Sequence, residues 1–159
     1  MWYTNIDGLL SKRLEVEEVL KGEKPDMMVL CETKWRDEWG DPDLGRGKYD
    51  CVIRNRKGKE GGGVMVLVDK GIRVVGVDIS ENKAEMVKVR VKEKNERERM
   101  YVGVYVPPFT NAWNREEYEE MIEDILGELE EIGKRGKDAV IIGDFNCKKV
   151  NWEEGTSLI

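Results

Sequence analysis

At 159 residues the chain has the length of one domain, enough to bury roughly 68–70% of the surface its unfolded form would expose. Charged residues make up 38% and apolar ones 40%, and the net charge of −6 argues against simple non-specific nucleic-acid binding unless a local basic patch or a metal supplies positive charge. Cys31, Cys51 and Cys147 show no CxxC spacing, which argues against a disulfide scaffold or a zinc site and suits a reducing compartment, cytoplasmic or nuclear; no histidine is present, so any chemistry must run without imidazole.

Met1 stands almost directly on the first apolar run. No signal-peptide pattern opens the chain, and no apolar run approaches the ~20 residues of a membrane span. Residues 2–6 read as a strand. Ser11 is placed to cap a helix reaching about Lys21, with Leu14, Val19 and Leu20 inward and Gly22 as its stop. Residues 27–32 are apolar up to Glu32 and predict a strand buried on both faces, while 34–48 reads as loop. Further strands are predicted at 50–54, 63–68, 72–77, 86–92 and 100–106, the last two joined as a hairpin through Lys94-Asn95-Glu96-Arg97. Asn114 and Glu117 have the spacing of a capping box ahead of a helix whose stripe is Tyr118, Met121, Ile122, Ile125, Leu126, Leu129 and Ile132, ended by Gly133 and Gly136. The final strand spans 138–144, with Ala139-Val140-Ile141-Ile142 expected to be a buried central run, and no element is assigned from Cys147 onward.

Polar residues collect where these apolar runs end. Asn5, Glu32, Tyr105 and Asp144 all fall at C-terminal strand ends, where layered α/β folds build their sites. Any one alone reads as a turn or a solvated rim residue; four together point to a shared site. Arg54-Asn55-Arg56-Lys57-Gly58-Lys59 carries the four cations Arg54, Arg56, Lys57 and Lys59, which read first as a solvated hairpin tip and second as a grip on a DNA backbone.

The ordered set Thr4-Asn5-Ile6-Asp7-Gly8-Leu9, Cys31-Glu32-Thr33-Lys34-Trp35, Gly61-Gly62-Gly63-Val64, Gly103-Val104-Tyr105-Val106-Pro107-Pro108 and Gly143-Asp144-Phe145-Asn146 resembles the DNase I-like endonuclease/exonuclease/phosphatase superfamily. Glu32-Thr33-Lys34-Trp35, the Gly-Gly-Gly-Val stretch and Asn151-Trp152 are most similar to its AP-endonuclease-type branch in LINE-type retrotransposons. The resemblance implies an α/β fold, a four-layer β-sandwich with flanking helices, and a Mg²⁺- or Mn²⁺-dependent phosphodiesterase acting on DNA. It implies that Glu32 and Asp7 ligate the metal weakly and that Asn5 orients the metal-site carboxylates. Tyr105 would hydrogen-bond the scissile phosphate, Asp144 would orient or deprotonate the attacking water, and Asn146 would steady the phosphate oxygens.

The family's later segment, with a further Asp and a closing histidine, has no counterpart in these residues, so the fold is expected to be incomplete at its C-terminus. Losing one such group typically costs ~10²–10⁴ in rate. The chain is therefore expected to be silent alone, and two readings stand. One is the N-terminal portion of a DNA endonuclease, with a phosphatase or sphingomyelinase-like relative as its variant; the other is a non-catalytic dimerisation or binding module derived from that fold. Because the resemblance covers mainly the first half of a two-sheet sandwich, an uncovered sheet face and a homodimer or complementing chain are expected.

Overall fold

The computed structural model describes residues 1–136, 138–147, 150–151 and 156–157. β1 (Trp2–Asn5) leads into α1 (Leu9–Glu23), which starts earlier than expected: Gly8, at φ 104°, is its cap, and the Ser11 hydroxyl donates to the Gly8 carbonyl at 3.2 Å. The helix passes through Gly22 and stops at Lys24, whose backbone is left-handed. Leu9, Val16 and Leu20 form its buried face, seven and four residues apart. Leu14 lies on the opposite side, 80% exposed, so the inward position expected for it is corrected.

Two four-stranded sheets follow. The first joins β1, β2 (Met27–Cys31), β3 (Tyr49–Arg54) and β4 (Val64–Asp69) in the order β1-β2-β4-β3, with β1 parallel to β2 and the rest antiparallel. The second joins β5 (Val74–Ile79), β6 (Glu85–Lys92), β7 (Glu98–Val106) and β8 (Ala139–Phe145) in that order, with β7 parallel to β8. The β6–β7 hairpin turns through the expected polar tetrad, closed by Glu93 and Arg97. α2 (Arg115–Lys134) bridges β7 and β8; the Asn114 side chain caps it by accepting from the Glu116 amide at 2.9 Å, and the Glu117 carboxylate accepts back from the Asn114 backbone amide while pairing with Lys59 at 2.5 Å. A short antiparallel pair, β9 (Val150–Asn151) with β10 (Thr156–Ser157), occupies the tail where no element was expected; Trp152 lies outside the described residues. Among the described residues no helix is long and apolar enough to cross a membrane.

The period of two along each strand sorts the core into layers. Met28 and Leu30 of β2, with Met65 and Leu67 of β4, point to α1. Their neighbours Met27, Val29, Cys31, Val64, Val66 and Val68 meet Val87, Val89, Val91 and Tyr105 between the sheets. Met86, Met100, Val102, Val104 and Val106 lie against Met121, Ile125 and Ile132 of α2. Leu126, expected on that inner stripe, is exposed. The result is a four-layer α/β/β/α sandwich assembled within one chain. Among the described residues the inner sheet face expected to lie open is covered, because each sheet packs on the other and the helices lie on opposite outer faces; β5 keeps Val74, Val75, Val77 and Ile79 exposed. β8 is also corrected: it pairs only with β7 among the described residues, its first residues are half-buried, and Ile141 is 42% exposed. An edge strand, not a central one, ends the second sheet.

Candidate functional site

Parallel pairing sets the C-terminal ends of β1 and β2 side by side, and likewise those of β7 and β8. Antiparallel partners bring the N-terminal ends of β4 and β6 to the same rim, where Glu85 lies opposite Tyr105. The two sheets are tied there directly. The Asn5 Nδ2–H donates to Asp144 Oδ2 at 2.7 Å, joining residues 139 positions apart, and the Cys31 thiol donates to the Val104 carbonyl at 3.4 Å. Asn5 Oδ1 accepts from the Asp7 amide at 3.2 Å, so one side chain ties the Asp7 loop to the Asp144 carboxylate of β8.

Asp7, Glu32 and Lys34 all take left-handed backbone, at φ 47°, 57° and 51°. For residues with a Cβ this is a strained choice, and here the loop network holds it. The Gly8 amide donates to the Glu32 carbonyl at 2.9 Å, Leu9 to Thr33 at 2.8 Å, and Lys34 to Gly62 at 2.8 Å. The consequence is that the Lys34 ammonium donates to Asp7 Oδ1 and stands 3.9 Å from Glu32 Oε1. Hydrogen bonding to Lys34 holds the Asp7 carboxyl below its usual range, and the same bond raises the Lys34 ammonium above its own. Asp7 and Glu32 are the pair available to a divalent cation. Among the described residues no cage of three or more His, Cys, Asp or Glu side chains forms. Two carboxylates are the donor chemistry of a hard cation such as Mg²⁺, which keeps much of its hydration, and not that of a closed structural site.

Tyr105 is buried on β7, and burial first, then the charges of Glu32, Glu85 and Asp144, pushes its phenol well above the ordinary tyrosine range. At neutral pH it is a donor. Asn146 follows β8 and turns its Nδ2–H and its backbone N–H to the Val106 carbonyl, at 3.1 and 3.3 Å. One amide hydrogen of Asn146 remains after that bond. Asn5, Asp7, Glu32, Tyr105 and Asp144 are thus brought to one rim, with Asn146 at its margin.

The basic stretch divides differently from its sequence reading. Arg54 is buried and structural: its Nε donates to the Ser80 carbonyl at 2.8 Å and its Nη2 to the Asn82 carbonyl at 2.6 Å. Arg56 makes a two-pronged fork with Glu85, both contacts 3.0 Å, and Lys59 pairs with Glu117 while lying 4.6 Å from the Trp113 ring. Only Lys57 of the four is exposed and without an ion pair among the described residues, so a four-cation grip on a backbone is corrected to a mostly internal network. Glu85 was not singled out from the sequence. It also accepts from the Gly63 amide at 2.9 Å, and a Cβ at Gly62 would collide with it and with Arg56, which accounts for glycine there. Its signal was a carboxylate flanked by the buried Ala84 and Met86 at a strand start. Lys34 was quoted within a motif, but its bond to Asp7 depends on loop geometry.

The sequence profile of the Endonuclease/Exonuclease/phosphatase family matches residues 3–154. A comparison with curated protein sequences returned no match. Among solved structures, a 3′ phosphatase from Neisseria, NExo, bound to product DNA hairpin, superposes with a TM-score of 0.70 at 17% identity, covering 94% of this chain and 58% of that one. An AP endonuclease from Archaeoglobus fulgidus gives 0.69 at 23% identity with the same coverages. The Xenopus laevis APE2 catalytic domain gives 0.70 at 17% identity, covering 91% of this chain and 57% of that one. These likenesses establish the DNase I-like fold, and the chain spans less than two thirds of the length of each of these structures.

Proposed function

The chain belongs to the endonuclease/exonuclease/phosphatase family, and from that premise we propose that it is part of a metal-dependent phosphodiesterase that nicks DNA in the manner of AP endonucleases. The observation that carries the reading is the Asn5–Asp144 bond across the two sheets, which assembles Asp7, Glu32, Tyr105 and Asp144 on one rim. Asp7 and Glu32 would hold Mg²⁺ or Mn²⁺ weakly. What such a cation supplies is positive charge beside the reacting phosphate. Asp144, fixed by the Asn5 amide, orients the attacking water and accepts its proton; Tyr105, kept neutral, donates to a phosphate oxygen; the remaining Asn146 N–H steadies charge that accumulates there. The Glu32-Thr33-Lys34-Trp35 and Gly61-Gly62-Gly63-Val64 stretches support a LINE-type retrotransposon origin.

We further propose that catalysis needs groups beyond these residues, supplied by a complementing chain. The open edges support this: β1 and β8 lie on the same side of the sandwich, each paired on one side only among the described residues. The test is nicking of supercoiled plasmid in Mg²⁺ and in EDTA, by the chain alone and with an added complementing segment. Silence alone and Mg²⁺-dependent nicking with the complement is the expected result. Robust nicking by the chain alone, abolished in Asp144→Ala, would overturn the need for a partner, and silence in every arm would overturn the nuclease reading. The second reading, a non-catalytic binding module, is favoured by one observation: the Lys34 ammonium already neutralises the carboxylates a metal would use.

A further inference from the structure

β5 closes the second sheet on the side away from β8, and among the described residues it pairs with β6 alone. Val74, Val77 and Ile79 lie opposite Val91, Val89 and Val87, so they face the layer between the sheets. That layer runs out at β3, whose Val52 is only half-buried, and the three residues keep 38%, 48% and 38% of their surface open. The backbone is open as well. The Ser80 amide donates to the Met86 carbonyl at 3.1 Å and the Lys92 amide to the Arg73 carbonyl at 2.9 Å, which sets the phase of the antiparallel ladder. Residues 76, 78 and 80 therefore exchange their bonds with β6, and the N–H and C=O groups of Val77 and Ile79 point to the open side. An edge of this kind accepts another strand.

Two observations decide which strand. The register shifts between Val74 and Gly76, a bulge that bends the edge and leaves only 76–79 regular. A second copy would bring the same bend against itself, whereas a flexible peptide can follow it. On the outer face Arg90 lies opposite Gly76, and a Cβ on that glycine would collide with its guanidinium. The guanidinium thus rests across the bare glycine, toward the edge. Among the described residues it meets no carboxylate, whereas its neighbour Lys88 is matched by Asp78 and Glu128. An unmatched cation beside an open ladder selects a strand that carries a carboxylate on that face.

We propose that the β5 edge docks an extended peptide of a partner protein, alternating apolar and acidic residues, as an added strand of the second sheet. Its main chain bonds to Val77 and Ile79, its apolar residues cover Val74, Val77 and Ile79, and a carboxylate on its outer face answers Arg90. The edge lies across the sandwich from β1 and β8, so the proposal stands apart from the phosphodiester reading of the rim. The test titrates a short fluorescein-labelled peptide of alternating valine and glutamate by anisotropy. Its controls are the valine–lysine counterpart and the valine–glutamate peptide N-methylated on the amides that would face β5. Expected are saturable binding of the first peptide alone, a roughly five- to tenfold loss in Val77→Lys, and a smaller, salt-sensitive loss in Arg90→Gln. Circular dichroism of both variants keeps misfolding separate. Amide exchange on the unaltered chain needs no variant: bound peptide should protect Val77 and Ile79 and leave Asp78, already bonded to β6, as it was. Absence of binding, equal binding of either control, or protection elsewhere would each overturn the proposal. So would a concentration-dependent mass that Val77→Lys abolishes, because the occupant would then be a second copy.

Discussion

Lys34 shows how one side chain sets the state of the rim. Its ammonium is bonded to Asp7 and faces Glu32, so a divalent cation must displace it. Lys34→Gln should therefore strengthen Mg²⁺ or Mn²⁺ binding several-fold, and Glu32→Ala should abolish it, both read by titration calorimetry. The pH window follows from the directions of shift. Asp7 is lowered from 3.8, so its share of the pairing is complete above that value and is lost as pH falls through the depressed one; Lys34 is raised from 10.5, so its share persists until pH climbs past that. Competition with the metal should hence be flat across neutral pH. Cys31 behaves oppositely: burial is the largest cause raising its thiol from 9.0 to about 12, with the Asp144 charge adding to it. The neutral thiol is favoured in the fold, so its contribution is complete below 9.0 and lost as pH rises toward 12. Thiol titration at pH 8 should find Cys31 unreactive until denaturant is added, and urea midpoints should fall above pH 9.

At the scale of elements, β7 is the strand on which the sandwich turns. A Cβ at Gly103 would meet Val66 at 2.9 Å, Val64 at 3.1 Å and Val29 at 3.2 Å, all on the opposite sheet. The sheets thus approach closely at Gly103, and Gly103→Ala should destabilise by about 1–3 kcal/mol in urea unfolding through overpacking. The β6 start carries the other vulnerable point. Glu85, 2% exposed, answers both the Arg56 fork and the Gly63 amide. Glu85→Ala would strand a largely buried guanidinium and should cost about 3–5 kcal/mol, whereas removing the exposed Arg73–Glu96 pair should leave the urea midpoint nearly unchanged.

For the whole molecule, the two sheets stack with β1 over β8, β2 over β7 and β8, β4 over β6 and β7, and β3 over β6 and β5. Among the described residues β1 and β8, the sheet edges on one side, are each paired on one side only. Trp2 and Tyr3 of β1 and Ile141 of β8 are exposed there. Unpaired edges bearing apolar side chains are templates for another strand. Sedimentation equilibrium in the micromolar range should show mass above the 18.4 kDa of one chain, falling to that value in Trp2→Lys combined with Ile141→Lys. Mass near 18.4 kDa at every concentration would remove the case for self-association.

The sequence by itself determined the order of elements and the family, because both rest on local information. Alternation of valine with charge marks β6, the apolar stripe marks α2, and Asn5, Glu32, Tyr105 and Asp144 declare themselves where apolar runs stop. It misjudged β8, whose four apolar residues look like a central strand, because a strand's cover depends on neighbours that its own residues do not encode. It also missed the fates of the cations. Arg54 in the core, Arg56 on Glu85 and Lys34 on Asp7 each depend on a partner 26 to 29 residues away in the chain. The Asn5–Asp144 bond, spanning 139 positions, is the extreme case. Hydrophobic period is written along the chain, whereas pairing of charges and amides is decided by which strand ends meet, and only the stacked sheets settle that.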